Sequence, residues 1–366
     1  MPLLARMITT PVVIDVRRGA IADLGELLAD QRISTAGRVA VAVGPRSGAR
    51  IAEDLRTHLV EADFYTVDGG TVDAALDLAT RARTRSYDAI VGIGGGRMID
   101  VTKYAAARLG LPMVAVATNL AHDGIASPVS TLDNDAGRGS YGVPAPIAVV
   151  VDLDVVRQAP VRSVRAGIGE VASNLSAIAD WELSHELRGE PVDGLAVTLS
   201  RTAAEAVVHH PGTIADDDFL RVLAESLVLS GLSMVVAGTS RPSSGACHEI
   251  SHAIDLLYPD RACYHGEQVG VGAAFASTLW EDPASRARGA LIAECLARHD
   301  LPVGPDELGF SLEEFAAAVV RAPDTRPGRF TILEHRDLDK DAVMAAVNDY
   351  AAARRASRNE ESRSDS

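Results

Sequence analysis

From Gly37 to Asp154 short β-branched runs alternate with stretches of helical period, and this alternation constrains the fold more than any other feature of the chain. RVAVAVG (38–44), ADFYTVDGG (62–70), YDAIVGIGGG (87–96), PMVAVAT (112–118) and PIAVVVDLDVV (146–156) read as strands. SGARIAEDLRTHL (47–59), TVDAALDLATRARTR (71–85) and RMIDVTKYAAARLG (97–110) read as helices, with Thr71 as an N-cap and Gly110 as a stop. Parallel strands need crossover connections, and helices of this length supply them. The pattern therefore predicts βαβ units and a mainly parallel sheet.

From about Ser163 the strand signals fade and Ala/Leu-rich helical segments take over, at 166–188, 192–209, 216–237, 244–257, 267–280, 284–299, 311–321 and 340–355. The expected organisation is an α/β domain over 1–160, an all-helical domain over 161–353 and a polar, disordered tail over 354–366. With 35 Lys+Arg against 50 Asp+Glu the net charge is −15, a poor basis for holding nucleic acid or anionic membrane by bulk attraction. Cys247, Cys263 and Cys295 are too few, and odd in number, for a disulfide framework. No apolar run is read as reaching the roughly 20 residues of a membrane span, and MPLLARMITTPVVID lacks a signal-peptide layout. A cytoplasmic enzyme or small-molecule binder is expected.

Ile90-Val91-Gly92-Ile93-Gly94-Gly95-Gly96 runs from a strand straight into a helix at Arg97. Glycines let a backbone approach a phosphate, and a helix N-terminus offers free N–H groups and the positive end of its dipole. The spacing is neither GxGxxG nor a P-loop, so a phosphate cradle and a plain tight turn both stand as readings. Asp100, one turn into the helix, would bond the loop or a cofactor, or face solvent. The next strand leads into Thr118-Asn119-Leu120-Ala121-His122-Asp123-Gly124-Ile125-Ala126-Ser127. Ligands of open α/β sheets collect at the carboxyl ends of strands, so two such loops at one edge predict a cleft there.

Gly245-Ala246-Cys247-His248-Glu249-Ile250-Ser251-His252 spaces His248 and His252 at i and i+4, on one face of a helix. His265 follows at a loop-to-helix junction, and Glu170 in AGIGEVASN is the candidate carboxylate. Neutral imidazoles plus a carboxylate suit zinc or a similar divalent ion. The same histidines would equally serve as core or surface residues without a metal. HEISH also matches the HExxH pattern of zinc peptidases, but that reading needs a third ligand downstream and explains neither the glycine turn nor the βαβ units. Cys247 and Cys263 lack CxxC spacing and read as small buried residues. Arg241-Pro242-Ser243-Ser244 suits a phosphate through Arg241 and Ser244, or is an N-cap with a surface arginine.

GIGGGRMIDVTKYAA, ATNLAHDGIASP, AGIGEVASNLSAIADWELSHELRGE, SRPSSGACHEISHAID, YHGEQVGVG and RPGRFTILEH occur in order from about residue 8 to residue 350. Together they resemble the sn-glycerol-1-phosphate dehydrogenase family, whose superfamily also holds glycerol dehydrogenase, the iron-containing alcohol dehydrogenases and 3-dehydroquinate synthase. The resemblance implies a dehydroquinate synthase-like fold: an N-terminal Rossmann-like α/β domain with a mainly parallel sheet, followed by an all-α domain binding metal and substrate. It implies NAD- or NADP-dependent, metal-assisted reduction of dihydroxyacetone phosphate, a small phosphorylated ketone, to sn-glycerol 1-phosphate for phospholipid metabolism, in a homo-oligomer without nucleic-acid partners or an integral membrane segment. By motif position it assigns the cofactor to Gly94, Gly95, Gly96, Arg97, Met98, Ile99, Asp100, Thr118, Asn119, Leu120, Ala121 and Ser127. It assigns one divalent metal, zinc with iron or nickel as alternatives, to Glu170, His248 and His265. Asp123, Glu170 and His252 would face substrate, with Arg241 and Ser244 as candidates for its phosphate and His252 as proton relay.

Two positions depart from the family pattern. Glu170 stands where the family carries aspartate and the dehydroquinate synthase relatives carry glutamate. Arg97 stands where lysine is frequent, with the same charge. Gly44-Pro45-Arg46 ends its strand without an acid for a ribose 2′-hydroxyl, so Arg46 is expected to face a 2′-phosphate and both NADH and NADPH to be accepted. The competing readings are a reductase of another small ketone or aldehyde, a sugar-phosphate cyclase of the dehydroquinate synthase type, a non-catalytic metal or nucleotide binder, and a zinc peptidase. Lys103 and Lys340 are the chain's only lysines, which disfavours a cyclase with its cationic phosphate pocket.

Overall fold

A computed structural model describes residues 8, 11–45, 47–135, 137–261 and 263–364. Eight strands are present among them: β1 (Val13–Arg17), β2 (Val39–Val43), β3 (Asp63–Thr66), β4 (Ala89–Gly94), β5 (Met113–Ala117), β6 (Val129–Asn134), β7 (Gly137–Gly142) and β8 (Ala148–Asp152). Six of them form one sheet in the order β1-β8-β5-β4-β2-β3, every pair parallel. β2, β5 and β8 are buried along their whole length, which is why they read as unbroken apolar runs. β6 and β7 form a separate antiparallel hairpin.

Among the described residues, the helices interleaved with these strands or directly following β8 are α1 (Leu24–Leu28), α2 (Ser47–Leu55), α3 (Val72–Ala82), α4 (Gly96–Leu109) and α5 (Leu153–Val156). Thr71 caps α3 by accepting the Ala74 N–H, and α4 ends on Gly110 in the left-handed region, as expected. Then follow α6 (Val161–Ala172), α7 (Asn174–Arg188), α8 (Gly194–Val208), α9 (Asp217–Ala237), α10 (Ala246–Leu257), α11 (His265–Thr278), α12 (Pro283–Arg298), α13 (Leu312–Arg321), α14 (Ile332–Arg336) and α15 (Lys340–Ser364).

The chain leaves β2 for β3 on one side and returns to β4 on the other, so strand order reverses between β2 and β4. Such a switch point opens a crevice at the carboxyl ends of the strands. The glycine turn leaves β4 at this crevice. Gly94 pairs with Ala117 in register, and the Thr118 N–H donates to the Gly94 carbonyl at 3.0 Å. The glycine turn and the 118–127 loop therefore leave the sheet side by side.

Several expectations are corrected. The chain divides into two compact units, one holding the residues through Val164 with Ala215–Gly238, the other Arg165–Ile214 with the residues from Thr239 onward. α9, read as part of the helical domain, thus belongs with the sheet. Asp217 at its start pairs with Arg18 at 2.6 Å and with Arg157, and a Cβ on Gly231 would fall 2.7 Å from the Ala126 carbonyl carbon, so the helix lies flush on the 123–127 segment. α9 is also long and apolar enough to cross a membrane by length and composition, contrary to the reading that no run reaches that length. Its Phe219, Leu223 and Leu227 and its Ser226, Ser230 and Ser233 are all buried in the protein, as in a core helix. The segment 166–188 breaks at Ser173, whose hydroxyl donates to the Glu170 carbonyl at 2.8 Å and competes with the helical ladder. The expected disordered tail continues as helix through Ser364.

Candidate functional site

α10 carries both histidines of the HEISH motif. Its first turn is held by a side chain from another helix: Asp180 on α7 accepts the N–H of Ala246 at 2.8 Å and that of Ile332, at the start of α14, at 2.9 Å. Asp180 is fully buried, and burial raises its carboxyl to about 6 against the pull of those two N–H bonds.

α6, α10 and α11 converge on one cluster. The candidate ligand atoms of Glu170, His248 and His265 all lie within 4.8 Å of one another, and His265 Nε2 is 3.7 Å from Glu170 Oε2. The rings of His248 and His265 are 5.0 Å apart, centre to centre. Burial, then the neighbouring histidines and arginines, holds His248 well below the usual imidazole range, so it is neutral and able to ligate. A directed chain sets the His265 tautomer. Gln268 Nε2 donates to Asp255 Oδ1 at 3.1 Å, Ser251 Oγ donates to Gln268 Oε1 at 2.5 Å, and Ser251 Oγ lies 2.9 Å from His265 Nδ1. With its one proton given to Gln268, the serine accepts from Nδ1–H, which leaves the Nε2 lone pair facing Glu170. The donor set fits a divalent ion: two neutral imidazoles and a carboxylate, with polar support behind them. Cys247 Sγ lies 3.3 Å from His248 Nδ1, and burial pushes its thiol to about 12, so it stays a neutral thiol.

The peptidase reading fails at Glu249. Its side chain is fully buried, it accepts the Thr331 hydroxyl at 3.1 Å, and burial together with Glu334 and Asp180 raises it to about 9. It is protonated at neutral pH and is not a general base. Glu249→Gln is therefore expected to keep activity within about threefold, where loss of a general base costs about 10²–10⁴. The unfolded chain ionises this carboxyl well below the folded one, so the folded state binds the extra proton and wild-type stability falls as pH rises between the two values. Urea unfolding from about pH 5 to about pH 8 should show the Gln variant losing less stability than the parent; equal slopes would contradict the protonated assignment.

In the sheet unit, the glycine turn meets the neighbouring loop closely. A Cβ on Gly96 would fall 1.7 Å from His122 Nε2, and one on Gly95 would fall 2.5 Å from Asn119 Nδ2, so a side chain at either position would have to displace the neighbouring loop's His122 or Asn119. α4 begins at Gly96 with no side chain capping it, leaving N–H groups for an anion. Arg97 is exposed, whereas Met98, Ile99 and Leu120 are buried, so these three would reach a ligand only through their backbone. Asp100 is buried and pairs at 2.9 Å with Lys103. Lys103 in turn donates to the carbonyls of Gly124 at 2.8 Å, Ser127 at 3.4 Å and Val129, tying the 118–127 loop to α4. Asn119 Oδ1 accepts the Ala121 N–H at 3.3 Å. Asp123 is buried and accepts Ser230 Oγ at 2.8 Å, with its carboxyl raised by burial. Thr118 and Ser127 flank this loop, and Arg46 lies outside the described residues.

Arg241 departs from its expected role as a phosphate ligand. Its fork is spent on Glu190 (Nε to Oε1 at 2.8 Å, and Nη2 to Oε2), on Ser184 and on the Phe330 carbonyl at 2.9 Å. Ser244 is buried beside α10. His252 sits next to the cluster, its ring 6.5 Å from His248 and 6.2 Å from His265, and its Nε2 accepts Arg326 Nη2 at 3.0 Å. An arginine only donates, so His252 carries its proton on Nδ1. Sequence reasoning misses Arg326, Arg329, Asp180, Ser251 and Gln268. Two signals were available: the paired arginines of the RPGR segment, and the i, i+3 spacing that sets Ser251 on the helix face of His248.

Comparison with known proteins adds four findings. Residues 15–160 match the family model described as iron-containing alcohol dehydrogenase. A glycerol-1-phosphate dehydrogenase [NAD(P)+] of Methanothermobacter thermautotrophicus is 35% identical over 347 residues, covering 92% of this chain and 96% of that protein. Its namesake in Hyperthermus butylicus is 36% identical over 344 residues, with the same coverage of 92% and 96%. A crystal structure of a probable glycerol dehydrogenase from Sinorhizobium meliloti 1021 matches with a TM-score of 0.75 at 22% identity, over 96% of this chain and 100% of that one, which speaks for the fold.

Proposed function

This chain belongs to the glycerol-1-phosphate dehydrogenase family, and from that membership we propose that it reduces the ketone of dihydroxyacetone phosphate to sn-glycerol 1-phosphate with NADH or NADPH and a divalent metal. It is an NAD(P)-dependent alcohol dehydrogenase. The observation that carries the finer reading is the convergence of Glu170, His248 and His265 on one point. The reaction consumes one ketone, one reduced nicotinamide and one proton, and yields the alcohol and the oxidised cofactor.

Glu170, His248 and His265 would hold the metal, with zinc favoured by two imidazoles and one carboxylate. When bound, a metal there supplies Lewis-acid polarisation of a carbonyl oxygen, and the nicotinamide supplies the hydride. The chain's own groups do the rest. The Gly94–Gly96 turn and the bare N-terminus of α4 take the pyrophosphate, with the Thr118–Ala121 loop and Ser127 alongside. Lys103 holds that loop in place from beneath. Ser251 keeps His265 in the ligating tautomer. His252, with its proton on Nδ1, passes a proton to the new alcohol oxygen. The cytoplasm suits a chain whose three cysteines form no disulfide.

Glu170 is the one residue that favours a second reading, a sugar-phosphate cyclase using its nicotinamide transiently. One assay separates them. The purified protein, stripped with a chelator and reloaded with zinc, is given NADH or NADPH and a panel of phosphorylated and unphosphorylated ketones. The expected result is stoichiometric loss of reduced cofactor with dihydroxyacetone phosphate as the best substrate, both cofactors accepted within about 100-fold, and no turnover before metal is restored. No net oxidation of the cofactor with any ketone would overturn the proposal.

A further inference from the structure

Arg326 and Arg329 stand in the RPGR turn between α13 and α14, and they converge on one hydroxyl. Arg326 Nη1 donates to Ser240 Oγ at 3.2 Å and Arg329 Nη2 donates to the same oxygen at 2.9 Å. Arg329 Nη1 also donates to the Ser244 carbonyl, and Arg326 Nη2 donates to His252. Both side chains are half-buried, and among the described residues no carboxylate lies within ion-pair distance of either. The contrast with Arg241 is direct: that guanidinium is neutralised by Glu190.

Two like charges held against one neutral oxygen, away from full hydration, repel each other and lose solvation. Burial and the neighbouring Arg326 and Arg241 lower Arg329 to about 10, which reports that missing counter-charge. A second observation points the same way. Ser244 is 3% exposed and its buried hydroxyl has no hydrogen-bond partner among the described residues. Buried hydroxyls are rarely left unpaired without a reason. Each of the four Nη atoms donates to a neutral protein acceptor and carries a second N–H; two guanidiniums placed together with such N–H groups match the oxygens of a phosphate, and hydroxyls donate to the same group. His252 links this place to the metal cluster, because it touches Arg326 on one side and lies within 6.5 Å, ring to ring, of His248 on the other.

We infer that Arg326 and Arg329, with the hydroxyls of Ser240 and Ser244, form the subsite for the phosphate monoester of the substrate, and that Arg241 is a structural residue outside it. The inference rests on the reading of the chain as a reductase of a phosphorylated ketone, and it assigns the preference for phosphorylated over free ketones to the RPGR turn.

The test compares kcat/KM for dihydroxyacetone phosphate with that for dihydroxyacetone in the zinc-loaded enzyme, alongside calorimetric titration with inorganic phosphate. Arg329→Ala and Arg326→Gln are each expected to lower the ratio about 10- to 100-fold and to weaken phosphate binding by a similar factor, since each removes charge-assisted bonds. Arg241→Gln is expected to lower the melting temperature and leave the ratio as it is. Unchanged ratio and unchanged phosphate affinity in both variants of the RPGR turn would overturn the subsite, as would a collapse of the ratio in Arg241→Gln alone. Where a variant unfolds, the other one and Arg329→Lys, which keeps the charge and loses the fork, decide the matter by the same ratio. A parent enzyme that ignores dihydroxyacetone phosphate overturns the proposed reaction instead, and the inorganic phosphate titration then judges the subsite alone.

Discussion

His248→Ala is expected to lower kcat/KM for the phosphorylated ketone at least about 10³-fold and to abolish stable metal binding. The magnitude follows from what the ion is asked to supply. Polarising a carbonyl oxygen as hydride arrives is worth several kcal/mol, and about 4 kcal/mol corresponds to three orders of magnitude in rate. His248 is the ligand least able to be replaced. It is buried on α10, its helix is pinned at the first turn by Asp180, and the adjacent Cys247 stays a thiol because burial pushes it to about 12. The other imidazole on that face, His252, has its Nε2 engaged by Arg326 Nη2 at 3.0 Å. Metal content after gel filtration and steady-state kinetics give the two readouts, and thermal unfolding of the metal-free proteins separates a lost ligand from a lost fold. A variant that retains stoichiometric metal and a rate within about tenfold of the parent would remove His248 from the site.

Much of this is legible in the sequence, for physical reasons that differ by element. β2, β4, β5 and β8 are buried on both faces, so their sequences are continuous apolar runs that no helix of the same length would show. β1 is only partly buried, and β7, GRGSYG, has almost no strand propensity; both exist because a neighbour pairs with them. The histidines are legible because helical spacing alone puts His248 and His252 on one face. Glu170 needs the motif around it, since one buried glutamate looks like any other until α6 is placed. The arginines divide the other way. Arg241 looks like an anion ligand because it precedes α10, yet Glu190, distant in sequence, claims it. Arg326 and Arg329 show in sequence only as the paired arginines of RPGR, and their meaning lies in a carboxylate that does not come near them. Composition puts α9 in the wrong unit since it records that a helix is apolar but not which surface covers it; Ser230 on Asp123 and Gly231 on Ala126 decide that.

Gly266→Ala is expected to weaken metal binding at least about 100-fold without touching any ligand. α6 and the start of α11 meet backbone to backbone: a Cβ on Gly266 would fall 1.8 Å from the Ala166 carbonyl oxygen, and one on Gly169 would fall 2.1 Å from the Gly266 carbonyl oxygen. Those obstacles are main-chain atoms within helices, so they cannot rotate aside as a side-chain end would. The added methyl must push the two helices apart by an ångström or more to reach ordinary contact. Each glycine is the sequence neighbour of a ligand, Gly169 of Glu170 and Gly266 of His265, and the displacement therefore separates the carboxylate from the imidazole that now lies 3.7 Å from it. Misplacement of about 1 Å in a catalytic constellation costs about 100-fold, and overpacking a tight contact costs about 1–3 kcal/mol of stability besides. Gly169→Ala should repeat the effect from the opposite side. Gly194→Ala, at a position where a Cβ meets nothing within 4 Å, should leave metal affinity unchanged. Competition against a chelator of known affinity, run below the melting temperature of every variant, reads the metal term apart from the stability term. Parental affinity in a folded Gly266→Ala protein would mean that the two helices do not set the spacing of the ligands.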